Sequence, residues 1–306
     1  MTLARTWSVG LAGVQGAMVE VEVDIAAGLP GVVLVGLPDA VVRQSVDRVR
    51  AAVVNAGGEF PARRITIGLS PASMPKQGSG FDLALAAAVL AAAGAVRRRA
   101  VDRLVLLGEL GLDGSVRAIR GVLPAVLAAA RAGHSQVVVP TANAAEAALV
   151  DHIEVLAVES LTQLVEHLRG ASVLQPYERG PLPAQPPVPD LADVVGQAAG
   201  RRAVEVAAAG GHHLFLTGPP GAGKTMLAER LPGLLPALDE QAALEVTAIH
   251  SIAGTLPPDA PLVTRPTFEA PHHSATMAAL IGGGSGQIRP GAICRAHRGV
   301  LFMDEA

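Results

Sequence analysis

Aromatic side chains are scarce in this chain of 306 residues: five Phe, one Trp and one Tyr, or 2% of the total. Packing therefore falls to Ala, Val, Leu and Gly, a composition that suits small-residue helices stacked on Val-rich strands in an α/β fold. Cysteine is nearly absent as well. The single Cys294 cannot close an internal disulfide, which fits a reducing compartment, and a lone thiol gives no catalytic argument. A formal net charge of −3 leaves no global positive excess for nucleic acid, although a local basic surface is compatible with it. No charged segment followed by an apolar core opens the chain; residues 18–25 alternate apolar and acidic, the pattern of a strand. The longest apolar stretch, 83–96, is Ala-rich and shorter than the roughly 20 residues of a membrane-spanning helix. A soluble, cytoplasmic protein with no membrane partner is the expectation.

What is present is enough apolar material for about two domains. A proline-rich stretch, QPYERGPLPAQPPVP at 175–189, disfavours both helix and central strand and reads as a semi-extended linker. The expected division is a first domain over 1–172, a linker over 173–189 and a second domain over 190–306. In the first domain, strands are expected at 18–25, 31–35, 64–69, 103–108 and 136–139. Between them fall a helix capped by Asp39, one starting near Asp82, and others over 123–132, 143–149 and 161–169. A mixed α+β domain follows from that alternation. The second domain opens with DLADVVG at 190–196 and a helix from about Gln197 to Ala209, ended by Gly210-Gly211. An apolar strand over 213–217 should then lead into a glycine-rich loop and a helix over 224–231, with a second apolar strand at 299–304.

Gly218-Pro219-Pro220-Gly221-Ala222-Gly223-Lys224-Thr225 satisfies the phosphate-loop pattern G-x-x-x-x-G-K-[ST] in full. The glycines let the backbone curl so that successive N–H groups face phosphate oxygens, and the helix behind them adds its positive dipole end. Lys224 is expected to reach the β- and γ-phosphates and the Thr225 hydroxyl to sit on Mg2+. The bland alternative is a Gly/Pro turn that matches by chance; the strand before and the helix after argue against it. Val300-Leu301-Phe302-Met303-Asp304-Glu305 reads as the companion Walker B strand. Asp304 at its tip would hold Mg2+, directly or through water, and Glu305 would polarise the attacking water as a general base. An apolar run ending in acids says little alone; with the loop upstream it points to ATP hydrolysis, with ATP and Mg2+ as cofactors and Lys224 and Glu305 as the catalytic residues.

Further phrases carry a family resemblance. Pro271-His272-His273, Gly282-Gly283-Gly284, Arg289-Pro290-Gly291 and the run AHRGVLF at 296–302 resemble the Mg-chelatase-like AAA+ proteins called ComM or YifB. Gly36-Leu37-Pro38-Asp39 and SPASMPKQGSGFDL at 70–83 resemble the N-terminal domain of the same family. The resemblance runs from about residue 3 to the end, with its motifs in the family's order. It implies a hexameric AAA+ ATPase whose partner is branched or single-stranded DNA, a helicase-like motor for branch migration during recombination of transforming DNA. The fold it implies is an N-terminal α+β domain of the Lon-protease type, shared with ribosomal protein S5 domain 2, then a linker and a P-loop AAA+ αβα core.

Within the Lon-like part, Pro75-Lys76-Gln77-Gly78 matches the start of the Lon serine motif. Gly80 stands where Lon has its nucleophilic serine, and Leu123 where it has its catalytic lysine, so the Ser–Lys dyad has neither member; Ser79 is adjacent but off register. A non-proteolytic scaffold is expected. Of the histidine pairs, His212-His213 on a strand would point to opposite faces. His272-His273 has no spaced third ligand for a metal, which leaves a DNA or subunit contact or a structural loop. Arg97-Arg98-Arg99 and Arg63-Arg64 read as solvated faces, with phosphate contact as the alternative. The chain stops at Glu305-Ala306, right after the Walker B carboxylates, whereas family members continue with sensor residues, an arginine finger and a lid. The expectation drawn is an incomplete ATPase core, truncated after Walker B, whose P-loop strand lacks its neighbours and whose turnover alone is weak. Ala292 also departs from the acidic residue expected after Gly291. Two further readings are a magnesium-chelatase-type motor subunit, against which the Lon-like domain argues, and an inactive fragment.

Overall fold

The computed structural model describes residues 3–181, 187–257, 260–284 and 289–304. The chain divides into two compact units, Met1–Pro181 and Leu182–Ala306. In the first, the elements run β1 (Ala4–Ala12), β2 (Gln15–Ala26), β3 (Gly31–Val35), α1 (Ala40–Asn55), β4 (Arg64–Ser70), α2 (Asp82–Ala92), α3 (Arg98–Val101), β5 (Val105–Leu106), β6 (Glu109–Leu110), β7 (Val116–Arg117), α4 (Val122–Arg131), β8 (Gln136–Pro140), α5 (Ala144–Ala147), β9 (Glu154–Val158) and α6 (Leu161–Arg169).

Seven strands form one sheet in the order β3-β4-β2-β1-β5-β8-β9. The β1–β2 and β2–β4 pairs are antiparallel and the other four parallel, so the sheet is mixed and the unit α/β. Alternation sets its faces: Val19, Val21, Val23 and Ile25 of β2 are buried, while Glu20 and Glu22 face outward, where both approach Arg5. Asp39 caps α1 as expected, its Oδ1 accepting from Val42 N at 2.7 Å. Gly36 ends β3 at φ +105°, where an added Cβ would lie 2.0 Å from the Leu69 carbonyl oxygen. All eleven residues of α2 are buried, which is why its sequence is apolar all round. Its one acid, Asp82, pairs with Arg48 at 2.8 Å and accepts from Leu110 N at 3.2 Å. Burial raises the Asp82 pKa, with Arg48 pulling the other way.

The first residues of the expected linker are bound to this unit: Tyr177 N donates to Val155 O at 2.7 Å and Pro176 bridges to Leu156, covering the outer edge of β9. Residues 182–186, from the middle of that linker, lie outside the described residues.

The second unit contains α7 (Ala198–Gly210), α8 (Lys224–Ala228), α9 (Leu231–Leu234), α10 (Glu240–Ala253), β10 (Phe268–Glu269), α11 (Met277–Ile281), β11 (Gly282–Gly283), β12 (Arg289–Pro290), α12 (Ala292–Arg295) and β13 (Val300–Leu301). Its paired strands are β10 with β13, parallel, and β11 with β12, antiparallel. Three expectations need correction. The strand over 213–217 does not form: 212–218 has no regular secondary structure. A strand is held by a ladder to a neighbour, and no described strand pairs with this segment; Leu216 packs inward while Phe215 is 81% exposed. The helix over 224–231 breaks after Ala228, because Pro232 sits in the first turn of α9 and cannot continue a helix interior. The strand over 299–304 is ordered into a ladder only at Val300 and Leu301, half-buried rather than fully buried. Among the described residues no helix is long and apolar enough to cross a membrane.

Candidate nucleotide-binding site

The glycine-rich loop joins the end of 212–218 to the first turn of α8. Gly221 and Gly223 take φ of +78° and +81°, left-handed values open to glycine and strained for other residues, so the loop curls back on itself before Lys224 starts the helix. Lys224 Nζ lies across the loop, donating to Gly218 O at 2.9 Å and Pro219 O at 3.2 Å. Gly218, Pro219, Pro220, Gly221 and Thr225 are exposed, and Ala222, Gly223 and Lys224 half-buried. Buried Leu227 anchors α8 in a small core with Leu191, Val194 and Val204. Gly200 lets α7 come close, since an added Cβ would lie 2.8 Å from Leu227 Cδ1.

One residue at this loop escaped the sequence reading. Gln197, expected only as a helix start, is the N-cap of α7 at φ +50°, ψ +41°, and its Nε2 donates to the Ala222 carbonyl at 3.1 Å. The left-handed backbone follows Gly196, which is itself at φ +75°. Only the tertiary structure brings the two segments together, so the sequence carried no signal beyond the glycine.

The segment that leads to the acidic residues is built differently. Parallel to β10, β13 is held by Val300 N to Thr267 O and Phe302 N to Glu269 O, both 2.8 Å, with the Phe268 and Phe302 rings stacked at 6.0 Å. Arg295 of α12 grips Glu269 with two bonds, 3.1 and 2.8 Å. The Arg295 carbonyl accepts from Thr267 Oγ1 at 2.9 Å and lies 3.1 Å from His250 Nε2. The His250 Nδ1 faces Thr255 Oγ1 at 2.8 Å, and burial holds the His250 pKa below its ordinary value. Asp304 follows β13 in an exposed turn. The partner of β13 is β10 rather than the segment leading to the P-loop, and Glu305 lies outside the described residues.

At the Lon-like motif, Lys76 is completely buried. Its Nζ donates to the Pro71 carbonyl, and burial lowers its pKa. Ser79 Oγ donates to Glu109 Oε2. At Gly80 an added Cβ would meet Ile119 Cδ1 at 3.2 Å, and Leu123 is fully buried in the core. The His272 and His273 rings lie 4.1 Å apart, His272 Nδ1 is 2.7 Å from Ser274 Oγ, and the described residues contain no group of three metal-type ligands. Arg63, Arg64 and Arg97 to Arg99 are exposed; Arg98 and Arg99 line an open cleft of about 310 Å3 with Arg5 and Asp102.

Two family models match, one described as subunit ChlI of Mg-chelatase over 21–143 and one as magnesium chelatase, subunit ChlI, over 190–306. A protein of Mycobacterium tuberculosis is 59% identical over all of this chain and 61% of its own length. The competence protein ComM of Haemophilus influenzae is 40% identical, again over all of this chain and 60% of its own. The chain belongs to the ComM/YifB family of magnesium-chelatase-like proteins. It spans about 60% of the length of the curated ComM/YifB relatives it matches. A Lon protease of Roseiflexus castenholzii is 29% identical over 59% of this chain and 23% of its own length. Within the ComM/YifB family this chain is thus an α/β protein with a Lon-related N-terminal domain followed by a P-loop-type core.

Proposed function

We propose that this chain carries the Mg-ATP site of a ComM/YifB-type AAA+ motor that remodels or branch-migrates DNA, working as a hexamer in the cytoplasm. The observation that carries the reading is the loop itself: a glycine-kinked turn into α8 with the Lys224 ammonium lying across it. The loop amides would receive the phosphates, with Lys224 exchanging its two carbonyl contacts for β- and γ-phosphate oxygens. Bound Mg2+ would neutralise phosphate charge, with the Thr225 hydroxyl and Asp304 as its protein contacts. Glu305 would take the proton of the attacking water. DNA enters through kinship with ComM, and His272 and His273, exposed on a loop, are suited to contact it or a neighbouring subunit.

The test is Mg-ATP binding and turnover by this chain beside Lys224→Ala, with and without forked DNA. Lys224-dependent turnover that rises with DNA supports the reading. Binding without any response to DNA would remove the DNA part, and equal binding by both proteins would remove the site. A second reading, a magnesium-chelatase-type motor, draws on the wording of the two matched models; stimulation by a porphyrin-binding partner instead of DNA would favour it. For the N-terminal unit we propose a non-proteolytic scaffold, supported by Gly80 and the buried Leu123. Peptide cleavage that disappears in Ser79→Ala would overturn that.

A further inference from the structure

Gln197 occupies the meeting point of α7 and the phosphate loop. Its left-handed backbone at φ +50° is one that residues with a Cβ adopt only when their surroundings hold them there. At the N-cap, its side chain makes no capping bond to the first-turn amides of α7. The carboxamide turns instead to the Ala222 carbonyl, 3.1 Å away. Across a planar trans peptide the C=O and the N–H point to opposite sides. Holding the Ala222 carbonyl toward Gln197 therefore holds the Gly223 N–H away from Gln197, and the N–H groups of such a loop are what receive phosphate oxygens. Gly223 makes the approach possible, because an added Cβ would lie 2.5 Å from Gln197 Nε2. The core does not account for a glutamine here: Val194 is the buried anchor of this segment, and Gln197 itself is exposed.

We propose that Gln197 is a positioning residue of the nucleotide site, its carboxamide fixing the Ala222–Gly223 peptide so that the Gly223 N–H is held ready for a phosphate oxygen. The inference rests on the reading of the loop as the Mg-ATP site. It separates from a contact with the nucleobase, because a residue that orders the loop affects any polyphosphate, whether or not a base is attached.

The experiment uses the full chain, a fluorescent ATP analogue with Mg2+, and competition by ATP and by inorganic tripolyphosphate. Gln197→Met keeps size and neutrality and the left-handed strain but removes the donor; Gln197→Gly removes the donor and relieves the strain. Both variants should weaken ATP and tripolyphosphate by the same factor, about five- to tenfold for one lost neutral hydrogen bond. The melting temperature should stay near wild type for Met and hold or rise for Gly. Unchanged affinity in Gln197→Met overturns the proposal, as does weakened ATP with unchanged tripolyphosphate, which would make Gln197 a base contact. If wild type binds no better than Lys224→Ala, the nucleotide reading fails and the positioning role with it. If binding depends on Lys224 but not on Gln197, the positioning role alone fails.

Discussion

In the N-terminal unit a seven-stranded sheet packs against α2, a helix buried on every side, and Val, Leu and Ile side chains of the strands fill much of the core. In the C-terminal unit each of the four described strands is two residues long, and many of the buried apolar residues are alanine: Ala207, Ala228, Ala242, Ala243, Ala248, Ala292 and Ala296. Polar ties such as Arg295–Glu269 and His250 to the Arg295 carbonyl add to this smaller apolar core. The contrast follows from what each interaction returns. A buried Leu or Ile contributes about 1.5–3 kcal/mol, a partly exposed ion pair about 1 kcal/mol or less. Resistance to unfolding therefore concentrates in the first unit, while the phosphate-loop residues of the second are exposed or half-buried.

Four changes test that contrast, the largest first. Asp82→Ala strips the Arg48 guanidinium and the Leu110 amide of their shared acceptor in the first turn of the buried α2. It should cost about 3–5 kcal/mol in urea unfolding of the N-terminal unit; a loss under about 1 kcal/mol would mean the sheet, rather than this pair, fixes α2. Lys224→Ala should weaken Mg-ATP binding about ten- to hundredfold, as expected for charge-assisted bonds, with no fall in melting temperature, because the contacts it loses are two exposed ones. A large drop in melting temperature would show the loop to be structural. Arg295→Ala should cost about 1–2 kcal/mol, between exposed and buried pairs. Hydrogen exchange would show it as faster exchange at the Val300 and Phe302 amides, which bond to the β10 edge.

The smallest effect is a pH dependence. The folded pKa of His250 is depressed by burial, so its contribution is fully present above the unfolded value of about 6.5. As pH falls below that value the unfolded chain takes up the proton first, and stability is lost down to the folded pKa. His250→Gln should therefore reduce the difference in C-terminal melting temperature between pH 7.5 and pH 5.5. An equal acid loss in both proteins would assign the sensitivity to other groups.

Local signals account for what was readable from sequence. The Asp39 cap of α1, the bounds of β3 and the Gly170-capped α6 all appear where expected, because capping and alternation involve neighbours in the chain. β1 was not legible, since its inward positions include Thr6 and Ser8. Those hydroxyls are satisfied by the Leu104 and Leu106 carbonyls, 98 residues away, so the polar pattern hides a buried face. α10 has a capping Asp239 and a left-handed Gly254, yet Thr247, His250 and Ser251 on its buried side blur the apolar period. In the site, the phosphate loop was readable as a motif, while the contact from Gln197 was not.

Glycine freedom and the lysine are properties of consecutive residues, so the loop 218–225 and the start of the helix after it are written locally in the chain. The burial of α2 is written there too, since a helix apolar on every face has no side to offer water. Whether an apolar run becomes a strand is set instead by long-range packing. Residues 31–35 find β4 alongside and pair along their whole length, whereas 213–217 are equally apolar in outline and form no ladder. A strand's hydrogen bonds belong to its neighbour, and which neighbour arrives is settled by residues far away in the chain.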